Sequence, residues 1–372
     1  MERQAYLRPS SAAVWSKCAG YAALNAAIGT APSDESDNEV REDGTACHWL
    51  AQEVWESRQH HVGDFSPNNR ELTDEMFRAV DEYHDALRAM PANVRIEQTI
   101  PVSKFFPGIA DGTPDGWSYD DSTNMLFVAD LKYGFRPVEV WRNAQCIIYA
   151  WTLVCVLTGQ GFAPEKVRIT ICQPRCPHRD GTTRHWTISV RELGQLAEWY
   201  AARAQDCYAP SPMCTVNPGC LTCPAAHACR TLQAAALGAV EVAYDATPFE
   251  LNERQLGYEL ATLLQAQRHI DHRIQGLSAQ AESLLRHGTR VPGFEMGRMA
   301  TRWRWRPGTE QFVVRLGEMF GVDVMVEPKV KSVAKLRNAF PVDVQAMYGD
   351  KPSGELKLVM SDPNEALKRF ST

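Results

Sequence analysis

The segment Gly112-Thr113-Pro114-Asp115, followed by the apolar run Met125-Leu126-Phe127-Val128-Ala129 and then by Asp130-Leu131-Lys132, constrains this chain more than any other. The run leaves the turn-rich stretch Asp120-Asp121-Ser122-Thr123-Asn124, which predicts a buried strand emerging from a hairpin. Residues two apart on a strand point the same way, so Asp130 and Lys132 are expected on one face. Leu131 is expected to turn into the core and leave only its backbone carbonyl for a ligand. Asp115 is expected on the preceding strand, across the hairpin. A divalent cation held by Asp115, Asp130 and the Leu131 carbonyl would lie beside Lys132, whose ammonium could orient an attacking water or stabilise a pentacovalent phosphate. Taken alone, an Asp-x-Lys triplet reads as an ordinary exposed strand pair. The Asp before the strand, and a following helix with Gln145 and Tyr149 one turn apart on one face, change that reading.

Together these elements resemble the PD-(D/E)xK nuclease superfamily, in its RecB-like branch. Asp115 matches the motif's first Asp, Asp130-Leu131-Lys132 the (D/E)xK element, and Gln145-Cys146-Ile147-Ile148-Tyr149 the QxxxY helix of the branch. An upstream histidine of the branch corresponds to His48 in Gly44-Thr45-Ala46-Cys47-His48. The resemblance implies an α/β restriction-endonuclease-like core, a central mixed sheet flanked by helices. It also implies DNA hydrolysis dependent on Mg2+ or Mn2+, with His48, Asp115, Asp130 and the Leu131 carbonyl as ligands. Lys132 would activate water, and Gln145 and Tyr149 would position DNA or Lys132. Exonuclease action on DNA ends is the expected subclass, in phage recombination or repair, with a phage single-strand annealing protein and self-association into a ring as expected partners. The alternatives are a catalytically inactive DNA-end-binding or assembly factor that keeps the nuclease fold, and a zinc-stapled structural phage protein.

Cysteine supplies a second signal. The chain has 11 in 372 residues, and Met1-Glu2-Arg3-Gln4 leads into polar sequence, so a secreted disulfide scaffold is not expected. Cys220, Cys223 and Cys229 stand close together in a loop flanked by proline and glycine, a metal-binding arrangement. An early cysteine with such a late cluster resembles the iron-sulfur nucleases of the AddB and CRISPR-associated adaptation type. That resemblance implies Cys18 as fourth ligand of a 4Fe-4S cluster. Structural zinc also accepts four thiolates, and Cys214 and, more weakly, His227 are rival ligands. Cys47, Cys146, Cys155, Cys172, Cys176 and Cys207 are expected to be buried small hydrophobes. The ending Gln173-Pro174-Arg175, with the Cys18 helix, Asp130-Leu131-Lys132-Tyr133-Gly134 and the late cysteine loop, resembles a phage- and prophage-encoded RecB-like family catalogued as a domain of unknown function. Its members often have Pro after the first Cys, where this chain has Ala19.

The remaining sequence sets the organisation. The length suits one large domain and an appendage, divided at a composition shift near 234–248: a nuclease domain over 1–240 with its metal staple, and an α+β extension over 241–372 that opens on a long helix from Pro248 to Leu284. A helix beginning at Ser10 is expected to carry Cys18, and the acidic stretch 33–43 to form a loop. Arg298 to Arg306 alternates arginine and tryptophan. With Arg136, Arg142 and Arg175, its residues Arg302, Trp303 and Arg304 are candidates for DNA contact. Net charge is -6, so affinity for a polyanion must come from local basic patches and bridging cations in an enclosed channel or threaded end. No apolar run reaches the roughly 18 residues of a membrane span, and a cytoplasmic location in a bacterial host is expected if the chain is phage or prophage encoded.

Overall fold

The run 125–131 is buried on both faces, and the rest of its domain is built around it. Leu126 and Val128 enter one apolar cluster with Trp117, Ile147, Val167 and Ile169; Phe127, Ala129 and Leu131 enter another with Leu50, Met76, Tyr83 and Leu87. Successive strand residues point to opposite faces, so this alternation demands a helical layer on each side.

The structure is a computed structural model and describes residues 7–29, 39–91, 93–176, 178–242, 253–298, 304–306, 308–326, 329–330, 347–350 and 356–360. The chain divides into two compact units, 1–277 and 278–372. The first contains α1 (Ala12–Trp15), α2 (Tyr21–Ala27), α3 (Glu39–Trp55), α4 (Asp74–Arg88), β1 (Arg95–Ile96), α5 (Val102–Phe105), β2 (Gly116–Asp120), β3 (Met125–Leu131), α6 (Ala144–Gly159), β4 (Lys166–Cys172), β5 (Thr183–Ser189), α7 (Val190–Asp206), α8 (Arg230–Val242) and most of α9 (Glu253–Arg286). The sheet is mixed, in the order β1-β2-β3-β4-β5, and β3 with β4 is its parallel pair. A parallel pair needs a crossover, and α6 provides it. The helix ends are set locally. Asn143 caps α6 by accepting from the Cys146 N–H, Thr73 caps α4 through Met76, and Ser189 and Glu192 form a capping box on α7.

The second unit holds β6 (Phe294–Arg298), β7 (Arg304–Trp305), α10 (Glu310–Phe320), β8 (Met325–Val326), β9 (Lys329–Val330), β10 (Gly349–Asp350) and β11 (Leu356–Met360). Its pairs are antiparallel: β6 with β11, β7 with β10, β8 with β9. Val313 and Val324 form its small core. No helix among the described residues is long and apolar enough to cross a membrane.

Several local expectations change. Residues 39–43 are the first turns of α3 instead of a loop. Cys18 lies beyond α1, a four-residue helix whose N-cap, Ser11, makes no side-chain capping bond. Lys132 is one residue past β3, although its N–H continues the ladder to the Cys172 carbonyl at 2.8 Å. The helix expected from Pro248 is described from Glu253 onward. Arg302, Trp303 and the side chain of Arg304 lie outside the described residues.

One buried side chain fixes the loop that leaves β3. Gln173, fully buried at the end of β4, donates through Nε2 to the carbonyls of Gly134 (2.9 Å) and Arg136 (2.7 Å). Its Oε1 accepts from the Val138 N–H (3.0 Å) and from Arg184 Nη2 (2.9 Å), and Arg184 also donates to the Val138 carbonyl at 2.8 Å. All four hydrogen-bonding positions of the amide are thereby used. Gln173→Ala would leave buried loop groups unpaired, so it should cost about 2–3 kcal/mol. In hydrogen–deuterium exchange, the Val138 amide, held by Gln173, should lose protection in the variant; unchanged protection would refute the clamp.

Candidate metal centre and cysteine pocket

Three separate segments meet where β2 begins and β3 ends. Asp115 immediately precedes β2, and its buried Oδ2 accepts the Leu131 N–H at 2.6 Å. α3 brings His48, whose Nδ1 lies 3.4 Å from Asp115 Oδ1 and 3.6 Å from Glu97 Oε1. Glu97 follows β1 in the left-handed region (φ 46°), and its N–H donates to the Asp115 carbonyl at 3.3 Å. One ligand atom each from His48, Glu97 and Asp115 lie within 4.8 Å of one another. An imidazole nitrogen with carboxylate oxygens is a donor set that fits a divalent cation.

Asp130, on the α6 side of β3, faces Lys132 instead of joining that trio. The Lys132 ammonium lies 3.0 Å from Asp130 Oδ1 and 2.8 Å from Oδ2, and donates to Gln145 Oε1 at 3.0 Å. Tyr149, one turn further along α6, hydrogen-bonds Gln145. Its ring lies so close to Gly112 that a Cβ there would stand 2.6 Å from Tyr149 Cε1, so the glycine of the Gly112-Thr113-Pro114-Asp115 motif leaves room for the tyrosine.

Charge in this pocket is strongly coupled. Burial pushes Asp115 up, with Asp130 adding to the rise and His48 opposing it. For His48, burial alone would favour the neutral ring, but the Asp115 and Glu97 carboxylates outweigh it and raise the imidazole to about 9. Burial also opposes the charge on Lys132, and Asp130 and Asp115 reverse that, holding the ammonium protonated. Across Gly116, the buried Tyr83 hydroxyl has no hydrogen-bond partner among the described residues. Burial, then the fields of Asp115, Glu97 and Asp130, keep it a proton donor.

Some distance along the chain, Cys18, Cys214, Cys220, Cys223 and Cys229 line one pocket. The Thr215 N–H donates to Cys18 Sγ at 3.5 Å, that of Asn217 to Cys220 at 3.4 Å, and that of Leu232 to Cys229 at 3.4 Å; Cys223 accepts from Ala225. Backbone donors aimed at sulfur stabilise thiolates and tune metal-bound ones. The Cys214 thiol meets the thiols of Cys18 and Cys229, and burial raises Cys214 and Cys223 alike to about 12 and pushes Cys220 up as well. His227 turns its Nδ1 to the Pro224 carbonyl at 3.1 Å. α9 holds this loop, with Arg273 donating to the carbonyls of Ala226 and His227. Five cysteine sulfurs thus line one pocket, a soft donor type that suits thiophilic metals. Cys47, Cys146, Cys172, Cys176 and Cys207 are buried, and Cys155 is half-buried.

Of the basic residues singled out for DNA, Arg136 and Arg142 are exposed. Arg175 stacks on Tyr133 (4.5 Å to the ring centroid) and Phe135 (3.9 Å) and pairs with Glu75 at 3.1 Å. Glu97 escaped the sequence reading because β1 is two residues long and shows no periodicity; the polar Glu after Val94-Arg95-Ile96 was the available hint.

A cation taking the His48 nitrogen must displace its proton. The imidazole is held protonated below about 9, so Mn2+ affinity should rise with pH up to that point and then level off. Glu97→Gln should weaken binding throughout. Titration calorimetry across this range checks both, and pH-independent isotherms that Glu97→Gln leaves unchanged would contradict the assignment.

One solved structure, from Eubacterium rectale and described as "Putative exonuclease", aligns with 68% of this chain and 93% of its own at 8% identity and a TM-score of 0.35. That likeness is too low to argue from. The family match is extensive: residues 4–365 fit the family described as "Protein of unknown function (DUF2800)", and the chain belongs to it.

Proposed function

We propose that this protein is a Mg2+- or Mn2+-dependent deoxyribonuclease of the PD-(D/E)xK type, acting from DNA ends. The observation that carries the reading is the Lys132 ammonium, fixed between Asp130 and Gln145 and in the field of Asp115, which adjoins His48 and Glu97. His48, Asp115, Asp130 and the Leu131 carbonyl would hold the cation, with Glu97 added to the set. When bound, a divalent ion polarises the phosphate and makes water a better nucleophile at neutral pH. The chain's own groups do the rest. Lys132, kept protonated by its carboxylate neighbours, stabilises negative charge growing on the phosphate and does not take a proton. Gln145 fixes the direction of that ammonium, and Tyr149 fixes Gln145.

Asp130→Ala and Lys132→Ala should each lower cleavage of end-labelled DNA by at least about a hundredfold while leaving the fold and DNA binding intact. Linear DNA should be consumed and covalently closed circles of the same sequence spared. Wild-type turnover in either variant would sink the nuclease reading, and equal rates on circles and linear molecules would sink the dependence on ends.

A 4Fe-4S cluster on Cys18, Cys220, Cys223 and Cys229 is the second part of the proposal, with structural zinc as the alternative. The four backbone N–H donors to these sulfurs support the ligand set. Such a group would tie the N-terminal turn to a loop some two hundred residues later, so its loss should loosen the domain. Purified under nitrogen, the protein should be brown with about four irons per chain. Cys18→Ser should bleach it and Cys214→Ser should not. Colourless protein with one zinc per chain, or full iron in Cys18→Ser, would overturn the assignment.

A further inference from the structure

The loop between Lys132 and the Asn143 cap joins both halves of the candidate site, because Lys132 lies at its start and Gln145 just past its end. Gln173 and Arg184 fix its backbone from below. Yet it presents two large aromatic side chains to solvent: Phe135 is 56% exposed and Trp141 61%. Each carries a guanidinium on one face. Arg175 sits 3.9 Å from the Phe135 centroid and Arg142 4.7 Å from that of Trp141. From 132 to 142 the basic residues are Lys132, Arg136 and Arg142 against the single acid Glu139, in a chain whose net charge is -6.

We propose that the 133–142 loop is a stacking platform for single-stranded DNA, on which Phe135 and Trp141 each take a nucleobase while Arg136, Arg142 and Arg175 meet the phosphates. The proposal rests on the nuclease reading and names its substrate class. Base faces are closed off in a duplex and open in a single strand, so rings that offer a free face beside cations favour the single strand. The rigid backbone lowers the ordering cost of binding, as expected of a preformed site. A frayed or single-stranded end held here would extend directly to Lys132.

The test uses the full-length protein in EDTA and follows fluorescence anisotropy of labelled oligothymidylate and of its duplex with oligoadenylate. The wild type should bind the single strand more tightly. The double variant Phe135→Ala/Trp141→Ala should lose about tenfold or more on the single strand, from stacking worth ~1–3 kcal/mol per base, with little change on the duplex. Phe135→Tyr/Trp141→Phe should restore binding, which separates lost stacking from misfolding. Single-strand affinity unchanged in the alanine variant, or a wild-type preference for duplex, would overturn the platform. Cleavage with Mn2+ by Asp130→Ala, run in parallel, keeps the two readings apart. If Asp130→Ala is inactive while the alanine pair binds normally, the platform alone falls; if it cuts as the wild type does, the nuclease reading on which the platform rests falls with it.

Discussion

The hydrogen bond from the Leu131 N–H to the buried Asp115 carboxylate, 2.6 Å long, is the constraint on which the site depends. It locks the start of β2 to the end of β3 at the point where both strands present their carboxylates. A buried ionised carboxylate is costly unless it is bonded and balanced. Asp115 is balanced by protonated His48 on one side and by Lys132 further along. The carboxyl groups of Asp115, Glu97 and Asp130 outnumber the cationic groups of His48 and Lys132, and the ligand atoms of His48, Glu97 and Asp115 form a set that fits a divalent cation.

The same strand connects this chemistry to the fold. Leu126 and Val128 bury one face of β3 and Phe127, Ala129 and Leu131 the other, so its position between the helical layers is fixed before the site is considered. Asp130 and Lys132 then meet α6 at the strand's end, where Gln145 completes the contact. The parallel β3–β4 pair makes the loop after Lys132 lead into the crossover helix. Gln173, at the end of β4, holds that loop. Thus the Gln173-Pro174-Arg175 ending has a physical meaning: the glutamine satisfies loop backbone and the arginine stacks on the loop's aromatics.

Much of this was legible in the sequence because it depends on local period and turn chemistry. The apolar run after Asp120 to Asn124 has a strand's length, and β4, β5 and α7 follow patterns of alternation and amphipathic spacing. What depends on chain folding at long range was not legible. Glu97 reaches the site through a two-residue strand and a left-handed turn. Cys214, already a rival ligand in the sequence, lies in the pocket with α2's start packed so closely against it that a Cβ on Gly20 would lie 2.4 Å from its sulfur. Residues 39–43 looked like an acidic linker because charge dominates their composition, whereas the helix continues from them into the buried face of Ala46, Cys47 and Leu50. Asp130 shares the face of Lys132 that the strand period implies, and its carboxylate meets the ammonium at 2.8 Å.

The central claim is that one cation, bound by His48 and the carboxylates, meets a DNA phosphate. Electron–nuclear double resonance on the Mn2+-loaded protein tests both halves at once. The account predicts a nitrogen coupling from His48, lost in His48→Ala, and a phosphorus coupling that arises when a DNA oligonucleotide is added. An Mn2+ signal without nitrogen coupling, or one that DNA leaves without phosphorus coupling, would contradict it.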